Sequence, residues 1–276
     1  MPHNAQLAFI GGGNMTRSLV GGLLADGYPA ERISIAEPNA ERRELLAGDL
    51  GIKPKADNVD AAQGADAVIF AVKPQVVRSV AEQLGELLHN QAAVAISVAA
   101  GVRLQDIERW LGEGIGVVRT MPNTPSLVRS GATALLANTH VSAPQRELAE
   151  SLMRAVGQTQ WLDVEEDMDI VTAISGSGPA YFFLLMEALE DAAVDQGLNR
   201  ERARLLILET ATGAARMALE AEDSPGKLRQ RVTSPGGTTE RALNVLNEQD
   251  FHGTVNSAVE AATQRAEELG RLLGEQ

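Results

Sequence analysis

Up to about residue 160, short runs of consecutive apolar residues alternate with stretches in which apolar positions recur every three or four residues. The runs at 7–10, 33–36, 67–70, 94–98 and 117–121 are nearly continuous and rich in Val, Ile and Ala. Runs of this length and kind predict strands buried on both faces. The stretches at 14–26, 40–50 and 75–88 predict amphipathic helices between them. Strand–helix alternation of this sort predicts a doubly wound α/β domain built on a parallel sheet. Two further short strands, 132–137 and 159–162, flank a helix starting near Pro144.

After Asp163 the texture changes. Residues 180–196, 200–220, 239–247 and 254–273 carry apolar residues at helical spacing, with no strand-like run among them. Gly178-Pro179 suits a helix start and Gly197 a helix stop. The pattern divides the chain into an α/β domain at 1–163 and an all-helical domain at 164–276, and 276 residues suffice for two domains. The Ala- and Leu-rich faces of the second domain are too extensive for one small bundle to cover. A homodimer or a larger homo-oligomer, burying them between subunits, is the expectation.

Composition narrows the chemistry. Aromatics make up only 3% of the chain, so the core must be aliphatic. The absence of Cys removes disulfides, Cys-zinc sites and Cys nucleophiles together. The net charge of −13 argues against nucleic acid as a partner. It is uneven, with 14 basic against 16 acidic residues up to Leu162 and 10 against 21 from Asp163 onward. The acidic second part reads as solvated helix surface. No charged start followed by an apolar stretch marks a secretory signal, and no run approaches the ~20 uninterrupted apolar residues of a membrane span. A cytoplasmic protein with no membrane partner is expected.

The strongest local signal is Leu7-Ala8-Phe9-Ile10-Gly11-Gly12-Gly13-Asn14-Met15-Thr16. A glycine run alone is weak, but this one follows a strand, opens a helix and precedes a second strand ending at Glu37, as a dinucleotide fingerprint does. Gly11 would permit the tight turn, Gly13 would let backbone approach a pyrophosphate, and the helix N-terminus favours the anion. Thr16 stands where the fingerprint carries Gly or Ala. Glu37 is placed to accept from ribose hydroxyls, which favours NAD(H), whereas Asn39, Arg42 and Arg43 suit the 2′-phosphate of NADP(H). The sequence leaves both open.

Ala71-Val72-Lys73-Pro74 follows the strand at 67–70, and Val98-Ala99-Ala100-Gly101 follows or ends the next. Ligands bind beyond such strand ends. Met121-Pro122-Asn123-Thr124-Pro125 forms a stiff loop able to present Asn123 toward a nicotinamide. In the second domain, Ser175-Gly176-Ser177-Gly178-Pro179 lacks the spacing of a nucleophile elbow. His3, His89, His140 and His252 show neither metal spacing nor a triad, so no metal is expected. Thr233-Ser234-Pro235-Gly236-Gly237-Thr238-Thr239 precedes a predicted helix and exposes amides able to hold a carboxylate without any cation.

Taken together these motifs resemble the pyrroline-5-carboxylate reductase family over nearly the whole chain. The 234–239 segment, with Pro225, Leu228, Val232, Ala242 and Leu243 around it, looks like that family's signature. The resemblance implies a Rossmann domain, a helical domain interlocked with a partner subunit, and reduction of 1-pyrroline-5-carboxylate to L-proline by NAD(P)H. It implies that Thr239 hydrogen-bonds the imine nitrogen, while Ser234, Gly236, Gly237 and Thr238 hold the substrate carboxylate. It also implies that Lys73, Pro74 and Asn123 line the cofactor, with Gly11 to Met15, Ala71, Val72 and Ala100 around it. Two rivals remain at this point. β-Hydroxyacid dehydrogenases resemble the first domain but use a lysine on an interdomain helix, and 175–196 has none. A dinucleotide sensor would bind cofactor without turnover.

Overall fold

The computed structural model describes residues 4–275. Its contacts divide the chain into two compact units. One runs to Ser177 and regains the chain from Ala261 onward; the other is Gly178–Glu260. The segments 164–177 and 261–275 therefore group with the sheet, where the change of sequence texture had placed them with the later helices.

In the first unit, β1 (Leu7–Ile10), β2 (Ile33–Ala36), β3 (Ala67–Phe70), β4 (Val94–Ser97), β5 (Val117–Met121), β6 (Gly131–Ala137) and β7 (Gly157–Trp161) form one sheet. The order is β2-β1-β3-β4-β5-β6-β7. The helices are α1 (Asn14–Ala25), α2 (Ala40–Leu50), α3 (Asn58–Ala62), α4 (Pro74–Gln91), α5 (Leu104–Leu111), α6 (Ala143–Arg154) and α7 (Glu166–Val171). Successive strand residues face opposite sides. Leu7 and Phe9 join Leu19, Leu23, Leu46 and Leu152 in one core, while Ala8 and Ile10 join Val77, Leu84, Leu88 and Trp110 in the other. Both faces are thus covered, which is why the strands read as continuous apolar runs.

The doubly wound sheet is parallel from β2 through β5, but β6 runs antiparallel to β5. The β5–β6 connection holds only a 3-10 turn, Thr124–Val128. It is too short for the crossover a parallel neighbour needs.

The second unit contains α8 (Gly178–Asp195), α9 (Arg200–Glu220), α10 (Pro225–Arg231), α11 (Thr238–Glu248) and the start of α12 (Phe251–Gly274). Asn199 caps α9 by accepting from Glu201 N and Arg202 N, and Ser224 caps α10 by accepting from Lys227 N. Among the described residues of this unit, only Gly178, Glu190 and Ala203 are buried. Phe182 and Phe183 are each 64% exposed, and Leu219 is 83% exposed. Part of this apolar surface forms a groove of about 680 Å³ between α8 and α9, lined by Phe183, Leu184, Met186 and Ile207. Glu166–Asp195 also passes a test of length and average apolarity for crossing a membrane, which the absence of a long uninterrupted apolar run did not anticipate. Glu187, Glu190 and Asp191 stand within that stretch.

Glu190 is the buried charge of this unit. It pairs with Arg200 at 2.7 Å and Arg204 at 2.9 Å. Hydrogen bonds from Arg204, then Arg200, pull its carboxyl down to about 2. A carboxylate with a lowered folded pKa stabilises fully above its unfolded value, and that stabilisation fades as pH falls toward the folded one. Glu190→Gln should therefore lower the melting temperature at neutral pH, and the gap to wild type should close between about pH 4.5 and 2. A gap that stays constant through that window would show that the charge of Glu190 contributes nothing.

Candidate active site

β1 and β3 leave the sheet side by side where the strand order reverses, the place at which open α/β sheets bind ligands. Gly11 follows β1 with φ +103° and donates to Ala36 O at 2.9 Å. A Cβ there would lie 2.6 Å from Ala71 O, so only glycine lets the two strand ends approach this closely. A Cβ on Gly12 would run into Leu46. Gly13 is exposed, has nothing within 4 Å on its Cβ side, and caps α1 with no side-chain hydrogen bond. The first-turn amides of α1, from Asn14 and Met15 onward, have no acceptor inside the helix and none from the cap side chain. Thr16 is fully buried, and its hydroxyl donates to Gly11 O at 2.5 Å. The residue that departs from the fingerprint fastens the loop the fingerprint shapes.

Glu37 is 5% exposed. Its carboxylate accepts from Gly12 N at 3.1 Å and from Asn39 N at 3.0 Å. One oxygen braces the glycine loop and the other the turn that follows β2, a role sequence position alone did not reveal. Asn39 Oδ1 accepts from Arg42 N at 3.0 Å and so caps α2. The Arg43 guanidinium donates to the carbonyls of Glu37 and Pro38 at 2.9 and 2.8 Å. The Arg42 side chain is exposed and has no hydrogen-bond or ion-pair partner among the described residues.

Ala71 and Val72 carry the chain from β3 to Lys73, the exposed N-cap of α4, and Pro74 takes the first helical position. Ala100 is exposed in the turn after β4. Asn123 lies half-buried beyond β5. Its Nδ2 donates to Ser175 O at 3.2 Å and Ser175 Oγ at 3.3 Å, and its Oδ1 accepts from Ala132 N at 2.9 Å. Both ends of the amide expected beside a nicotinamide are engaged within the protein. They tie the proline-flanked loop to β6 and to a π-helical turn, Thr172–Gly176. Such turns concentrate at functional sites. In the sequence, Ser175-Gly176-Ser177-Gly178 was weighed only against a nucleophile elbow, so this turn was missed.

The 233–239 segment leads into α11. Gly236 has φ +71°, and its N–H donates to Glu240 Oε2 at 2.8 Å, while the Gly237 N–H donates to Ser234 O at 3.0 Å. Two of the four backbone groups expected to hold a carboxylate are therefore engaged within the loop. The amides of Thr238 and Thr239 lie in the first turn of α11, where no acceptor exists inside the helix, and the Gly237 cap supplies no side chain. The Thr239 side chain is exposed, with no partner among the described residues. No group of three or more His, Cys, Asp or Glu suited to a metal ion occurs among the described residues. His3 lies outside them.

Residues 165–269 match the family described as pyrroline-5-carboxylate reductase dimerisation, and residues 6–101 the coenzyme F420-dependent NADP oxidoreductase family. A pyrroline-5-carboxylate reductase of Pseudomonas aeruginosa is 49% identical, covering 98% of each chain. One from Vibrio alginolyticus is 42% identical over 97% of this chain and 98% of its own. A solved pyrroline-5-carboxylate reductase of Coxiella burnetii superposes with a TM-score of 0.92 at 47% identity, covering 96% of this chain and 98% of that one. The Plasmodium falciparum pyrroline carboxylate reductase solved with NADP bound gives 0.86 at 31% identity, covering 97% and 99%. A glycine-turn dinucleotide fold continued by a helical region that matches a reductase dimerisation family defines an oxidoreductase. Within that class, the chain belongs to the pyrroline-5-carboxylate reductase family.

Proposed function

We propose that this protein reduces the C=N bond of 1-pyrroline-5-carboxylate to L-proline with NAD(P)H, as the last step of proline biosynthesis in the cytoplasm. It works as a homodimer or an assembly of dimers. The observation that carries this reading is the full-length likeness, at 49% identity, to a reductase of that name. The second unit's bare apolar faces support the assembly.

The residues fit a dinucleotide. The space before Gly13 and the uncapped α1 N-terminus suit a pyrophosphate, whose charge the helix end favours. Because Glu37 is spent on the loop, the free Arg42 and neighbouring Asn39 are the groups that meet a 2′-phosphate, so NADPH is the preferred form. Lys73, Pro74, Ala100 and the Asn123 loop border the nicotinamide side. The bound cofactor supplies the hydride that the imine carbon accepts. The protein's contribution is orientation and electrostatics. The Thr238 and Thr239 amides hold the substrate carboxylate, with Gly236, Gly237 and Ser234 shaping the turn that aims them. The Thr239 hydroxyl hydrogen-bonds the ring nitrogen, which takes a proton from solvent as the carbon takes the hydride. No general base is required, because the reaction takes up a proton and abstracts none.

The test follows NADPH and NADH oxidation in parallel with pyrroline-5-carboxylate, using wild type and Thr239→Val. Turnover with NADPH well above NADH is expected. Loss of one hydrogen bond to a reacting nitrogen should lower kcat/KM about 10–100-fold in the variant. Cofactor binding without turnover in wild type would favour a sensor and overturn the reductase reading.

A further inference from the structure

The end of α12 lies far in sequence from the dinucleotide loops, yet it is packed into the connection between β4 and α5. Leu273 is 8% exposed and belongs to the same core as Ala99, Val102 and Trp110. Gly101, next to the exposed Ala100, has φ +77°. A Cβ placed on it would sit 3.3 Å from Leu273 Cδ1 and 3.7 Å from Leu269 Cβ. The helix offers two glycines, one turn apart, to the end of that connection and the first turn of α5. A Cβ on Gly270 would lie 2.9 Å from Arg103 Nε, and one on Gly274 would lie 2.5 Å from Asp106 Oδ2. Arg109 then closes the contact, donating to Gly274 O at 2.8 Å while pairing with Asp106 at 2.9 Å. Helix ends leave carbonyls unpaired, and a guanidinium there is a favourable cap. Three glycines with one buried leucine make an approach too close to tolerate a shift of either partner.

We propose that the last turn of α12, through Leu273 seated on Gly101 and Arg109 capping Gly274, is a positioning element that holds the Ala99–Ala100–Gly101 turn in its dinucleotide-binding shape. This rests on the reading that Ala100 borders the cofactor. Leu273 touches neither cofactor nor substrate; it acts through Gly101. The dimerisation match ends at residue 269, so this turn lies beyond it, on a helix whose first residues belong to the helical unit.

The experiment titrates NADPH onto full-length protein by nicotinamide fluorescence, for wild type, Leu273→Ala, Leu273→Met and Arg109→Gln. Substitutions along a packed path of this kind change affinity about twofold to thirtyfold. Leu273→Ala should weaken NADPH binding about tenfold with kcat at saturating NADPH kept within about twofold, and Leu273→Met should restore binding. Arg109→Gln, at an exposed position, should weaken it about threefold and tests the idea even if Leu273→Ala does not fold. Folded variants with lower melting temperatures but wild-type NADPH affinity would overturn the proposal, leaving Leu273 as core alone. Wild type that binds NADPH but reduces no pyrroline-5-carboxylate would overturn the reductase reading, while the affinity ratios still decide this one.

Discussion

Gly11→Ala should bind NADPH at least about 100-fold more weakly than wild type while keeping the sheet intact. Two costs act together. An L-residue at φ +103° is strained by about 1–3 kcal/mol. Its Cβ would also press on Ala71 O from 2.6 Å, at backbone that cannot rotate away. The chain can relieve both only by moving the turn, and the turn positions the amides that face the pyrophosphate. Because Glu37 is hydrogen-bonded to Gly12 and Thr16 to Gly11, a shift of the turn pulls on both braces. Since each tenfold in affinity is about 1.4 kcal/mol, losing two aligned amides accounts for the expected change. Fluorescence titration beside far-ultraviolet circular dichroism checks it. Unchanged affinity in the folded variant would mean that the pyrophosphate does not sit against this turn.

Glu165→Ala should cost about 3 kcal/mol of stability, read as a shift of the urea midpoint at neutral pH. Arg119 is the largest fully buried side chain of the described residues, 1% exposed on β5, and Glu165 is its ion-pair partner. Removing Glu165, whose own side chain is 28% exposed, leaves the buried guanidinium of Arg119 without its partner, and losing one member of a fully buried pair usually costs about 3–5 kcal/mol. The lower end applies because Asp169 remains close by. Burial pushes the Asp169 carboxyl up, while Arg119 and Arg103 draw it down. Replacing Arg119 by Met removes the buried charge itself and should cost less than Glu165→Ala. The opposite order would show that the guanidinium contributes mainly through packing.

The strands at 7–10, 33–36, 67–70 and 117–121 were legible to the residue, because burial on both faces leaves a nearly continuous apolar run. The helices α3, α5, α7 and α10 escaped. Each has eight residues or fewer, too short for a periodic pattern to stand out, although Ser224-Pro225 was a legible start for α10. The direction of β6 cannot be seen in its apolar pattern, since a strand buried on both faces looks the same either way round. At the site, the sequence located Gly11, Glu37 and the 233–239 turn but not the use made of them. Whether a carboxylate faces a ribose or the amide of Gly12 depends on how β1 and β2 lie together. The return of α12 to the sheet left only Gly270 and Gly274 at four-residue spacing, a signal easily lost in a helix with many small residues.

The seat of Leu273 also bears on how the chain is made. Arg109 and the Gly274 carbonyl it caps are 165 residues apart. At roughly 5–20 residues per second, translation separates them by about 10–30 s. Once Trp161 is made every strand of the sheet has been synthesised, yet the nascent sheet still lacks the side chain that closes the core around Ala99 and Trp110. The first domain made is thus among the last finished, and a chain stalled before Gly270 leaves the ribosome with its cofactor half open on that side.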